Sequence, residues 1–204
     1  MSLRNYSDLI NLCYRYIGYK NDNNSLIEES VKKALDEIKK IANFKYIYAE
    51  FNYLIDELNK EPYLKFLNGC NTYYIVATTL GVAIDKRISL LEKIDASYMV
   101  IFNACAAAYL EYLADNYEYE NFGKDISYRF CPGYGGSSIN DIKLLNKYLD
   151  IRKIGINLLD SGIMLPEKSM FGIIAKNNNK NKTCDKCVLI KKCNYLKEGS
   201  KCYN

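Results

Sequence analysis

The segment Tyr128-Arg129-Phe130-Cys131-Pro132-Gly133-Tyr134-Gly135-Gly136-Ser137-Ser138 gathers the residues best suited to holding a ligand. Pro132 fixes φ at the first central position of a turn and Gly133 accepts the positive φ of the second, so Cys131-Pro132-Gly133-Tyr134 spells a type II turn. Gly135 and Gly136 allow backbone to approach a ligand closely, just ahead of a helix start whose amides attract an anion or carboxylate. Arg129 adds a planar fork for the same kind of group, in a chain with five arginines beside 23 lysines. Turn chemistry alone is also met by a plain surface connection between two elements.

A second constellation is Cys184, Cys187, Cys193 and Cys202, spaced C-x2-C-x5-C-x8-C. Its tight first pair suits tetrahedral thiolate ligation, as zinc or an iron–sulfur cluster requires. Nearby lysines lower thiol pKa values and attract an acidic electron carrier. A structural zinc, a disulfide-prone tail and free thiols are the competing readings. Cys13, Cys70, Cys105 and Cys131 are dispersed in apolar surroundings, where a cytosolic thiol is a small hydrophobe. The chain contains no histidine. That excludes Ser-His-Asp, Cys-His and His-zinc chemistry.

These residues need a scaffold, and 204 residues with 49% apolar content supply one domain, at most with an appendage. A net charge of +4 is too balanced to indicate nucleic acid. Arg4 and Asp8 interrupt the start where a secretory signal needs an apolar run, so a cytoplasmic location is expected. The uncharged run from Phe66 to Ile84 contains Asn68, Gly69, Asn71 and Thr72 and reads as buried globular structure, not a membrane span.

Leu9, Leu12, Cys13 and Tyr16 predict a first helix ending at Gly18, and Ser25 with Glu28 predicts a capping box ahead of a second. Alternation from Phe44 to Tyr48 and the β-branched, aromatic stretch Tyr73–Val82 predict strands. A helix around Asp85 to Glu92 is followed by a longer one from about Ala96 to Tyr117, whose small Ala104–Ala108 run permits close packing. Ser138 and Asp141 suggest another capping box, and two strands, Ile154–Leu158 and Met170–Ala175, are expected to pair antiparallel. No internal repeat is present. The order predicts an α+β fold, with a domain over 1–176. Residues 177–204 are a Lys/Asn-rich linker and Cys-rich appendage, because Lys176 to Lys201 carry a local net charge of +6.

Arg129, Gly133 and Tyr134 form Arg-x-x-x-Gly-Tyr. With Gly155-Ile156-Asn157-Leu158-Leu159-Asp160-Ser161 and Met164-Leu165-Pro166-Glu167-Lys168-Ser169 they resemble the activation domain of cobalamin-dependent methionine synthase. Arg15-Tyr16-Ile17-Gly18-Tyr19 resembles the start of free-standing members, and a cysteine-rich end also occurs among them. The resemblance spans nearly the whole chain and is most specific from Arg129 to Ser169. It implies a twisted antiparallel sheet with helices packed on it. It also implies a module that binds S-adenosylmethionine and presents its methyl group to cobalamin held by a methionine synthase or related corrinoid protein. Flavodoxin or ferredoxin would supply the electron.

On this resemblance Arg129 contacts the ligand carboxylate, the backbone around Cys131, Pro132, Gly133 and Gly135 lines the pocket, and Tyr134 lies beside the sulfonium. Glu111 or Asp115, four apart on the long helix, would face the ammonium, unless that face is simply solvated. Ser161 and Ser169 match family positions and would hold loop shape. Two departures stand out: Gly135-Gly136-Ser137-Ser138 replaces a proline-containing segment, and the correspondence ends after Ala175. A metal-bearing electron-transfer or scaffold protein and a tyrosine-rich interaction protein are the alternatives, the latter because the chain has 20 tyrosines.

Overall fold

The computed structural model describes residues 3–19, 24–176, 191 and 194–197. Two helices come first, α1 (Tyr6–Ile17) and α2 (Ser25–Ile41). Asn5 and Asp8 cap α1 reciprocally, each side chain accepting from the other's backbone N–H, and Gly18 closes it in the left-handed region. The second helix departs from the expected Ser25–Glu28 box. Its N-cap is Asn24, whose side chain accepts from Leu26 N, because Ser25 already lies inside the helix.

Strand β1 (Lys45–Phe51) leads through a short 3-10 turn and α3 (Tyr63–Leu67) to β2 (Tyr73–Thr79). β2 stops short of the expected Val82 because Gly81 turns the chain with φ 81° and Val82 opens α4 (Val82–Ile94). Next comes α5 (Ala96–Phe122), longer than its sequence pattern predicts and capped by the Asp95 side chain. Beyond it lie α6 (Asp141–Leu145), β3 (Asn157–Leu158), β4 (Met164–Leu165) and β5 (Ser169–Ala175).

The main sheet runs β1-β2-β5, antiparallel throughout, with Lys45 opposite Thr79 and Tyr73 opposite Ala175. All seven residues of the central strand are buried, which accounts for the uncharged sequence run through it. The expected pairing of the last two strands is corrected. β3 closes locally on β4, with Leu159 N donating to Ile163 O at 2.8 Å, while β5 pairs with β2. A neighbour only a tight turn away satisfies β3 at little entropic cost, leaving β5 to complete the apolar sheet.

Side chains alternate across this sheet. Ile75, Ala77, Phe171 and Ile173 join Phe51, Leu58, Tyr63, Phe66 and Leu145 in one core. On the opposite face Tyr74, Val76 and Ile174 pack with Phe122 at the end of α5. Helices α1, α2 and α4 all pack on α5. Its buried Phe102, Cys105, Ala106 and Ala108 join Leu12, Cys13, Leu35, Ile38 and Ile84 in a helical core. The architecture is α+β. No helix among the described residues is long and apolar enough to cross a membrane.

The alanine run sets how close the neighbouring helices come to α5. Ala106→Leu forces extra volume into a site of 0% exposure. Overpacking of this kind costs about 1–3 kcal/mol. Thermal denaturation is expected to show a Tm about 3–10 °C lower.

Candidate functional site

The expected turn at Cys131–Tyr134 forms. Tyr134 N donates to Cys131 O at 3.2 Å and Gly133 adopts φ 94°, the conformation a type II turn demands at that place. A second turn follows at once, Ser137 N donating to Tyr134 O at 3.0 Å. Ser137 ties the two together: its hydroxyl donates to Tyr134 O and accepts from Gly133 N. The loop's far end is fastened to α3 by Asp141, whose buried carboxylate accepts from Lys60 Nζ and Tyr63 Oη, each at 2.7 Å. One arm of the predicted Ser138–Asp141 box is present, Ser138 N donating to Asp141 Oδ2 at 3.3 Å, with Asn140 as the N-cap of α6.

Arg129 is turned inward, with its side chain only 7% exposed. It forms ion pairs with two carboxylates of α5: Nη2 lies 3.1 Å from Asp115 Oδ1, and Nη1 is hydrogen-bonded to Glu118 Oε1. Asp115 also holds Arg4, at 2.6 Å, so the N-terminal strap and the post-α5 segment meet on one carboxylate. Glu118 is fully buried, accepts from Tyr46 Oη of β1 at 2.8 Å, and leaves its Oε2 without a partner among the described residues. Burial raises the Glu118 pKa to about 7, outweighing the attraction of Arg129. The same burial pushes the Tyr46 phenol well above its usual value, reinforced by the Glu118 charge.

Beside this cluster stands Glu111, half-buried one turn earlier on α5. Tyr16 of α1, still 44% exposed, stands near it: partial burial followed by the Glu111 charge raises the Tyr16 pKa, and Tyr134 and Arg129 act on the same phenol. Arg129, Glu111 and Tyr134 thus each act on that one phenol, and Tyr134 itself is 64% exposed. Of the two proposed acids, Asp115 is engaged by two guanidinium groups, whereas Glu111 faces a phenol. Neither sits on a simply solvated helix face.

Pro132 is buried, Cys131 and Gly135 are half-buried, and Gly133 is exposed. Ser161 lies in the β3–β4 turn, where its hydroxyl accepts from Ile163 N at 3.4 Å. Ser169 serves loop shape too, its hydroxyl donating to Pro166 O at 2.6 Å.

Cys184, Cys187, Cys193 and Cys202 lie outside the described residues. Among the described residues no group of three or more Cys, Asp or Glu is placed to hold a metal ion. A cleft of about 690 Å³ between Asn52–Leu54 and Asn68–Tyr73 is lined by none of the candidate residues.

Sequence reasoning passed over Glu118, Tyr46 and Arg4. Glu118 had a signal: with Glu111 and Asp115 it completes an i, i+4, i+7 acidic stripe on one helix face. Nothing local marks Arg4 or Tyr46 as partners across more than 70 residues of chain.

A carboxyl whose pKa is raised on folding binds a proton more tightly in the native state, so its contribution is complete below its ordinary value and is lost as pH rises through the folded one. For Glu118 that window runs from 4.5 to about 7. Denaturation of wild type and Glu118→Gln across it is expected to show wild type losing up to about 3 kcal/mol relative to the variant as pH rises.

No protein-family model matches the chain, and no curated protein matches it. Its three-dimensional arrangement is similar to a crystal structure of the MetH reactivation domain bound to AdoHcy. The TM-score is 0.56, with 16% sequence identity over 87% of this chain and 73% of that chain. At that identity the likeness is one of fold.

Proposed function

We propose that this chain is an S-adenosylmethionine-binding module that presents the ligand's methyl group to a cobalamin held by a partner protein. What supports the reading is that the inward-facing Arg129, the exposed Tyr134 and the half-buried Glu111 all act on one phenol, that of Tyr16. The fold is similar to that of a reactivation domain solved with AdoHcy.

The donor set suits the charges of the ligand. The Arg129 fork would meet a carboxylate by exchanging Glu118 for it, a Glu111 carboxylate would meet an ammonium, and the face of the Tyr134 ring would attract a sulfonium. Backbone at Gly133 and Gly135 contributes contacts that a side chain would obstruct. No histidine is needed, because the nucleophile is a cobalt centre on the partner and this chain's task is to bind, orient and exclude water. The partner would be a methionine synthase or related corrinoid protein, reduced by flavodoxin or ferredoxin.

Isothermal titration with S-adenosylmethionine tests the reading. Wild type is expected to give saturable heat, and Arg129→Ala to weaken binding by about 10–100-fold, the loss of a charged hydrogen bond. Tyr134→Ala is expected to weaken it by about 10-fold, while Tyr134→Phe, which keeps the ring face, stays close to wild type. Absence of saturable heat for wild type would overturn the proposal.

A further inference from the structure

Strand β5 points Phe171, Ile173 and Ala175 into one core, and Met170 and Ile174 toward the α5 side. Gly172 occupies the α5-side position between them. It lies opposite Val76, which in turn lies opposite Tyr48, so the row across the sheet is Tyr48-Val76-Gly172. Glycine in mid-strand weakens a sheet unless backbone or another group must come close. Gly172 is not among the residues with positive φ, so conformational freedom does not explain it.

Space does. A Cβ on Gly172 would lie 2.4 Å from Arg129 Cγ, 3.1 Å from Arg129 Cδ and 3.2 Å from Phe130 O. The Arg129 stem thus crosses β5 through the gap this glycine leaves. The backbone carrying Arg129 cannot retreat, because it is pinned to β5 on both sides. Ser127 N donates to Ala175 O at 2.9 Å, Ala175 N donates to Ser127 Oγ at 2.9 Å, and Phe130 and Ile173 exchange hydrogen bonds at 2.8 and 2.9 Å. Any side chain at position 172 must therefore displace the arginine stem.

The geometry points to Gly172 as a positioning residue for Arg129. It is the opening through which the guanidinium reaches Asp115 and Glu118. The consequence for ligand binding rests on the function proposed above; the placement of Arg129 does not.

A double-mutant cycle separates this role from a generic strand glycine. Gly172→Ala is expected to lower Tm by about 4 °C or more in the wild-type background. It should cost clearly less in an Arg129→Ala background, where the stem is gone and only the 3.2 Å approach to Phe130 O remains, and regain its full penalty in Arg129→Met, which keeps Cγ. Equal penalties in all three backgrounds would overturn the inference.

Phenylglyoxal labelling read by mass spectrometry supplies a measurement that does not depend on Arg129→Ala folding. Arg129 should be protected in wild type and label at least about 10-fold faster in Gly172→Ala, since reactivity of a buried group tracks its opening. Unchanged labelling would count against the inference. If wild type binds S-adenosylmethionine and Arg129→Ala weakens it, Gly172→Ala should weaken binding by the same factor and the double variant no further; unchanged affinity in Gly172→Ala beside a weakened Arg129→Ala overturns the inference. A wild type that binds none refutes the proposed function and leaves the cycle and the labelling to decide the role of Gly172.

Discussion

A guanidinium held in the interior between two carboxylates governs how this molecule is put together. Arg129 joins Asp115 and Glu118 on one helix, Asp115 recruits Arg4 from the N-terminal strap, and Glu118 takes a hydrogen bond from Tyr46 on the edge strand. Three separate segments of chain thus meet on two acidic side chains one turn apart on α5. Desolvating such a set offsets much of its Coulombic attraction, so the cluster is a weak source of net stability. Removing one partner is another matter, because it strands a buried charge at a cost of about 3–5 kcal/mol. The arrangement therefore fixes register: α5 cannot slide or rotate against the sheet without breaking both pairs.

The rest of the site follows from that fixture. The backbone carrying Arg129 is stitched to β5 at Ser127 and Phe130, and the chain then turns at Pro132-Gly133 to expose Tyr134. At its far end the same loop is held by Asp141 between Lys60 and Tyr63. A glycine-rich loop anchored by buried polar contacts at both ends keeps its shape despite the freedom of its glycines. That is what a binding loop needs in order not to lose affinity to its own entropy.

Much of this was legible in sequence, and what was not has a common cause. The type II turn, the helix ending at Gly18, the buried character of Tyr73–Thr79 and the small-residue run in α5 are local patterns, and local chemistry determines them. The pairing of β5 with β2 was misread because sequence proximity favoured β3, whereas the nearer β4 captured it. The inward turn of Arg129 depends on acids 11 and 14 residues earlier and on a gap in a strand more than 40 residues later. Its type and position were readable; its direction was not. Asn24 displaced Ser25 as a helix cap for a smaller reason, since both residue types cap well and only the chain path decides between them.

A chain without histidine still carries a group that titrates near neutrality. Glu118, raised to about 7 by burial, takes that place, and its location gives the titration a consequence. With Asp115 and Glu118 ionised, the charges of Arg4 and Arg129 are matched; with Glu118 protonated, the cluster carries one net positive charge. An anionic group brought to Arg129 competes with Glu118 for the same guanidinium. In an interior of low dielectric, two carboxylates drawn to one cation repel each other strongly, and protonation of one relieves the repulsion. Glu118 is the carboxyl best suited to yield, since Asp115 retains Arg4 as a second partner. On the function proposed above, a carboxylate arriving at Arg129 would thus be coupled to a proton arriving at Glu118 through the same geometry that locks the helix to the sheet.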